Sequence, residues 1–276
     1  MKICQIPDAT RTAGLSTMQL RAAFLVESLF VPGEMRMAYT DADRAVLGGV
    51  IPLAQPLSLD TSDALRADYF LQRRELGVLN IGGHGSIIAD GTRFDLNPLD
   101  CLYLGRGQRE VVFHSTDAAA PAKFYLLSYP AHAAHPSAIA RRSEVQPLQL
   151  GTEAGCNRRQ LFKYIHPDGI KSCQLVMGIT QLEAGSAWNT MPPHTHLRRS
   201  EVYLYFGLDP DMRVVHLLGE PQETRHLFVA NQQAVISPSW SIHAGVGTSA
   251  YSFCWGMGGE NQAFDDMDLV AVAQLR

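Results

Sequence analysis

Cysteine, an excess of either charge and long apolar runs are all scarce in this chain. Five cysteines stand among 276 residues, at Cys4, Cys101, Cys156, Cys173 and Cys254. The number is odd and no CxxC occurs, so neither a disulfide framework nor a thiol metal site is expected. Reduced, mostly buried thiols are the plain reading. Lysine and arginine total 23 against 27 aspartates and glutamates, a formal charge of -4. No basic excess exists to neutralise a phosphate backbone, which argues against a nucleic-acid partner. No apolar stretch reaches the roughly 18 residues of a membrane-spanning helix. The opening stretch MKICQIPDATRTAGL is interrupted by Asp8, Thr10 and Arg11, so it reads as neither a signal peptide nor a membrane span. The expectation is a cytoplasmic protein with no membrane partner.

Hydrophobic residues make up 46% of the chain and charged residues 18%, which excludes disorder. Residues 16–30, STMQLRAAFLVESLF, carry a helical pattern with Ser16 or Thr17 as cap. Beyond them, short runs rich in Val, Ile, Tyr and Phe alternate with Gly, Pro and Asp. Strands are expected at Ala45–Ile51, Tyr69–Leu71, Gly77–Ile81, Ser86–Ile88, Cys101–Leu104, Glu110–His114 and Lys123–Leu127. Asp90-Gly91 reads as a hairpin turn. The pattern resumes at Cys173–Glu183, Glu201–Phe206, Arg213–Leu218, Arg225–Val229, Gln233–Ser237 and Ala250–Met257. Many short strands at this spacing predict an all-β chain built of sandwiches or barrels.

The two halves look related. Aligning Arg73-Arg74 with Arg198-Arg199 places an apolar strand after each pair, and Cys101–Leu104 then parallels Ala234–Ser237. The expected organisation is an N-terminal helical segment (1–29), a first barrel (30–130), a proline-bearing linker (131–150) and a second barrel (151–276). The C-terminal DDMDLVAVAQLR is a candidate short helix.

The densest chemical signal is Pro192-Pro193-His194-Thr195-His196, followed by Glu201 and, further on, by Pro238-Ser239-Trp240-Ser241-Ile242-His243. In extended chain, residues two apart share a face, so His194 and His196 aim into one space. Glu201 has the opposite parity, and a turn at 197–200 would deliver it from the next strand. Three imidazoles and one carboxylate suit a first-row divalent metal such as zinc, manganese or iron. Under the alignment of the halves, Tyr69, Leu71 and Leu76 stand in place of His194, His196 and Glu201, so the first barrel is expected to bind no metal.

This HxH, Glu and PxxxxH pattern resembles the cupin superfamily, whose metal sits inside a small jelly-roll barrel. Longer words are more specific. NTMPPHTHLRRSEVYLYF, GEPQETRHLFVANQQAVISPSWSIHAGVGT and GMGGENQAFDDMD resemble the 5-keto-4-deoxyuronate isomerase family, as do LRAAFLVESLFVPGE and RRELGVLNIGGHGSI nearer the N-terminus. The resemblance implies two cupin domains and one zinc per subunit on His194, His196, Glu201 and His243. It also implies a homohexamer acting in the cytoplasmic breakdown of pectin-derived unsaturated uronates. The implied reaction is a ketol isomerisation of 5-dehydro-4-deoxy-D-glucuronate to 3-deoxy-D-glycero-2,5-hexodiulosonate. Other readings of the same motifs are a metal-dependent dioxygenase and a non-enzymatic sugar-binding cupin.

Such an isomerisation needs a proton carrier, for which Glu223, His226, Glu260, Asp265 and Asp266 are candidates by position in these words. It also needs a grip on the substrate carboxylate. Arg198, Arg199 and Arg225 are the candidates, with Lys163 and Tyr164 behind them. Tyr203, Tyr205 and Phe206 read as core, with a tyrosine hydroxyl available to a ligand.

Overall fold

A computed structural model describes residues 1–276. The chain is almost wholly β, and its strands assemble into two pairs of facing sheets. In the first half, Lys2–Cys4, Met35–Thr40, Val46–Val50, Phe124–Pro130, Arg74–Asn80, Cys101–Leu104 and Ala138–Ala140 form a seven-stranded sheet in that spatial order. Leu57–Ser58, Val111–Ser115, Gly85–Ala89 and Thr92–Leu96 form the four-stranded sheet opposite. The second half repeats the plan. Its large sheet runs Leu148–Leu150, Arg159–Ile165, Val176–Leu182, Ser252–Gly259, Arg199–Phe206, Ala234–Ser237 and Leu25–Val26. Its small sheet runs Trp188–Asn189, Ala244–Gly247, Val214–Glu220 and Glu223–Val229.

Local chemistry explains several of these elements. Asp90 and Gly91 both take positive φ, 44° and 80°, the turn that matches the twist of the hairpin between Gly85–Ala89 and Thr92–Leu96. Ladder register carries the internal likeness of the halves into three dimensions. Leu76 pairs with Leu104 as Glu201 pairs with Ser237, so a buried leucine holds the glutamate's place in the first half.

Three apolar cores result. One fills each half, around Leu76, Phe113 and Phe124 in the first and around Leu218, Tyr251 and Trp255 in the second. The third lies between the halves, where Tyr103, Tyr125, Leu127 and Tyr129 meet Phe162, Met177, Val202 and Cys254. The large sheets are therefore covered on both faces. That is why their strands read as continuous apolar runs and not as an alternation.

Four expectations are corrected. The helix covers Thr17–Phe24, opened by a Ser16–Gln19 capping box, and stops short of residue 30. Leu25 and Val26 instead pair with Val235 and Ala234, covering an edge of the second half's large sheet. Tyr69–Leu71 is no strand; Phe70–Gln72 makes a 3-10 turn. The segment 131–150 holds two strands, one paired to each half. The chain end forms the strand Asp268–Leu269 and a 3-10 turn at Val272–Gln274, without an α-helix.

Candidate metal centre

His194 ends a bend after Pro193 and opens the short strand His194–Thr195. The chain then turns through Leu197 and enters Arg199–Phe206, which carries Glu201. His243 arrives from the loop between Ala234–Ser237 and Ala244–Gly247. The turn resolves the parity conflict between the histidines and the glutamate.

All four side chains are buried, and one donor atom from each falls within 4.8 Å of the others. His194 Nε2 is 3.0 Å from His196 Nε2 and 3.0 Å from His243 Nε2. Glu201 Oε2 lies 2.6 Å from His243 Nε2 and 3.3 Å from His196 Nε2. Four Lewis-basic atoms crowded together in a dry site repel one another unless positive charge lies among them. Burial, followed by the neighbouring His243, pushes the His194 imidazole down to about 2, so it is neutral with a lone pair free. Burial opposes ionisation of Glu201, but His243 and His196 prevail and hold its carboxyl well below the usual range. A neutral imidazole and a carboxylate are forms that ligate a divalent cation. The donor set therefore fits a metal ion.

The imidazoles are oriented from behind. His196 Nδ1 is 2.5 Å from the carbonyl oxygen of Asp266, and His243 Nδ1 is 3.4 Å from that of Ser241. An Nδ1–H donated to a carbonyl fixes the tautomer that leaves Nε2 free for metal.

His194, His196 and Glu201 form part of the wall of a cavity of about 250 Å³, with His243 behind them. Leu161, Phe253, Trp255 and Met257 line it from the large sheet, and Phe264, Met267 and Leu269 from the C-terminal strap. Asp268–Leu269 pairs with His194–Thr195, so this strap lies directly across the strand that carries the first two donors. The titratable side chains on the wall are Arg159, His194, His196, Glu201 and Tyr203. Burial, then the nearby Glu201, raises the Tyr203 phenol well above its ordinary range, so it is a hydroxyl and not a phenolate.

The other residues singled out in the sequence lie off this wall. Arg198 donates through Nε to both Asp266 carboxylate oxygens, at 2.7 and 2.9 Å, and reaches Asp268 at 3.0 Å. Arg199 is buried and donates to the carbonyls of Ala263 and Asp266, at 2.5 and 3.1 Å. Arg225 donates to the carbonyls of Ala13 and Leu15 and ties down the N-terminal segment. Glu223, His226, Glu260 and Asp265 are at the surface, and the Asp266 carboxylate is taken by Arg198 and Asn261. Lys163 sits over the Phe264 ring at 4.0 Å, and Tyr164 donates to the carbonyl of Leu99 at 2.8 Å. Sequence reading missed Arg159. Its signal was strand parity: it shares a face with Leu161 on Arg159–Ile165.

The fold has known counterparts. An IolB-like protein from Salmonella typhimurium LT2 superposes with a TM-score of 0.73 at 14% identity, covering 90% of this chain and 96% of that one. Oxalate decarboxylase gives a TM-score of 0.59 at 10% identity over 87% of this chain and 78% of its own. At these identities the likeness shows the fold alone, which is cupin-like. The model of the KduI/IolB family matches residues 25–272. The chain belongs to the KduI/IolB family. Within that family, a protein of Opitutus terrae is 54% identical over the whole of both chains. One of Halalkalibacterium halodurans is 54% identical over 95% of each. One of Escherichia coli strain SE11 is 51% identical over the whole of both. All three carry the name 4-deoxy-L-threo-5-hexosulose-uronate ketol-isomerase.

Proposed function

We propose that this KduI/IolB chain is a metal-dependent ketol-isomerase. Its substrate is 5-dehydro-4-deoxy-D-glucuronate and its product 3-deoxy-D-glycero-2,5-hexodiulosonate. One observation carries the reading: three imidazoles and a carboxylate converge beside a mainly apolar cavity that His194, His196 and Glu201 line, in a chain more than half identical to relatives named for that reaction.

The reaction moves a proton between neighbouring carbons at the aldehyde end of the sugar acid. Bound on His194, His196, Glu201 and His243, a divalent ion supplies Lewis-acid stabilisation of the negative charge that develops on the substrate oxygens. We take zinc as the resident ion, a choice the His/Glu donor set supports and shares with manganese and iron. The mainly apolar walls lower the local polarity, which strengthens each electrostatic contact inside. His196 is held in one tautomer by the Asp266 carbonyl. Tyr203 carries a protonated hydroxyl on the wall, 3.2 Å from Thr190 Oγ1, and is placed to donate to a substrate oxygen.

We further propose a homohexamer in the cytoplasm, working in the breakdown of unsaturated uronates from pectin. Exposed Met18, Phe228 and Leu269 offer apolar surface for subunit contacts, and buried free thiols at Cys4, Cys101 and Cys254 suit a reducing compartment. Light scattering of the purified chain reads the assembly directly.

The deciding assay supplies 5-dehydro-4-deoxy-D-glucuronate to the metal-loaded protein and follows the hexodiulosonate. Product is expected, with loss on chelation, recovery on adding zinc, and no recovery in Glu201→Ala. Absence of product from the fully loaded protein rejects the isomerase reading. Full turnover after complete metal removal rejects the metal's role.

A further inference from the structure

A six-carbon uronate is two-ended. Its reacting aldehyde lies at one terminus and its carboxylate at the other. A pocket that holds the aldehyde end against the metal ligands must meet the carboxylate elsewhere on the same wall. Leaving that anion in an apolar cavity without a partner costs several kcal/mol.

Apart from the metal-ligand histidines, the wall presents one cationic side chain, Arg159. The arginines nearer the ligands are committed: Arg198 to two carboxylates, Arg199 and Arg225 to backbone carbonyls. Arg159 is half-buried and makes a single hydrogen bond, from Nη1 to the carbonyl of Asn157 at 2.8 Å. None of the chain's salt bridges includes it, which leaves its Nε and Nη2 donors unused. Its desolvation is felt: burial lowers its affinity for the proton despite the nearby Tyr203 and Tyr251. A guanidinium with free donors and no ion-pair partner, on a mainly apolar wall, is matched by a planar anion that accepts two parallel hydrogen bonds.

We infer that Arg159 is the substrate-binding residue for the carboxylate, and that it sets the specificity of the cavity for sugar acids over neutral sugars. This rests on the isomerase reading for the identity of the substrate. The carboxylate preference itself is measurable without turnover.

The test is calorimetric binding of two probes to the intact metal-loaded chain. L-gulonate is a six-carbon sugar acid without an aldehyde. D-glucitol is the same molecule with the carboxylate reduced to an alcohol. Wild type is expected to prefer L-gulonate by about tenfold or more, the scale of a lost charge-assisted pair. Arg159→Gln abolishes that preference while its metal content, read by elemental analysis, stays at the wild-type level. Arg159→Lys retains part of it, and stands in if Arg159→Gln does not fold. A preference that survives in Arg159→Gln, or a wild type that does not discriminate, overturns the assignment. If the preference behaves as expected but no isomerisation is found, the anchor stands and the reaction falls. If isomerisation is found and Arg159→Gln leaves KM for the uronate unchanged, the anchor alone falls.

Discussion

The ring of His196 and the backbone of Asp266 are joined by a 2.5 Å contact from Nδ1 to the carbonyl oxygen. The same Asp266 offers its carboxylate to Arg198, on the far side of the ligand turn. One residue of the C-terminal strap thus orients a candidate metal ligand with its main chain and is itself fixed through its side chain. The two consecutive arginines divide the work, Arg198 gripping the strap from outside and Arg199 from within.

Arg198→Ala should therefore loosen metal without removing a ligand. Loss of an outer partner of a metal-bound histidine typically weakens affinity about 10–100-fold. Competition with a chelator of known affinity measures this. Wild-type metal affinity in the variant would show that the strap is held by Arg199 and the Asp268–Leu269 pairing alone.

Much of this site is written in residue types at fixed spacing. His194 and His196 are two residues apart, Glu201 follows a turn, and His243 follows Pro238, so the cluster of four is legible without coordinates. Arg159 is different. It lies far upstream of the ligands, and only the curvature of the large sheet brings its face of Arg159–Ile165 onto their cavity. Conversely, Arg198 and Arg199 stand beside the ligands in sequence and off the cavity wall in space, because the turn that delivers Glu201 aims them at the strap. The strand content was plain from local texture. The third core was not, because packing of sheet on sheet is a relation between segments some hundred residues apart. The edge strand Leu25–Val26 was missed for the same reason: its apolar pair satisfies a helix pattern and a sheet edge equally well.

His216 should make stability pH-dependent. It is fully buried with Nδ1 2.8 Å from Tyr205 Oη. Burial first, and His243 second, hold it down at about 3, whereas an unfolded histidine titrates near 6.5. Between those values the unfolded chain binds a proton that the folded chain refuses. Stability therefore falls as pH drops from about 6.5 toward 3, by up to roughly 1.4 kcal/mol per pH unit. His216→Asn keeps a polar atom near the Nδ1 position and cannot titrate. Urea unfolding of both metal-loaded proteins at pH 7, 6 and 5 should show a shallower decline in the variant. Parallel declines would mean that other groups carry the effect.

Gly256 lies where the two large sheets pack closely together. A Cβ there would overlap the Leu127 side chain of the opposite large sheet, and one at Gly77 would meet Met177 Sδ at 2.6 Å. Gly256→Ala should cost about 1–3 kcal/mol through overpacking. A lowered unfolding midpoint at unchanged denaturant slope checks it. Gly91→Ala is a useful contrast. Nothing lies within 4 Å of its Cβ position, so any cost there comes from its φ of 80° alone.

Glu75 ties the halves together by polar contacts inside this same interface. It is fully buried on Arg74–Asn80, beside the position equivalent to Glu201. Its Oε1 accepts the backbone N–H groups of Gln174 and Leu175 at 2.9 and 2.8 Å. Its Oε2 accepts the Cys173 N–H at 2.7 Å and the Tyr103 hydroxyl at 2.8 Å. One first-half carboxylate thus satisfies three consecutive amides of the second half, just before the strand Val176–Leu182. Glu75→Ala would leave all four donors without their acceptor, two of them (the Leu175 N–H and the Tyr103 hydroxyl) fully buried, and the loss should be several kcal/mol, roughly 3–5. Glu75→Gln keeps the shape but turns an acceptor into a donor facing an N–H, and should cost about 1–3 kcal/mol. Urea unfolding gives the order of the three proteins, and hydrogen exchange at Cys173–Leu175 gives the cause. Those amides should be protected in wild type and exchange fastest in Glu75→Ala. If they stay protected in that variant, the loop is held by its own packing and the carboxylate is not the tie.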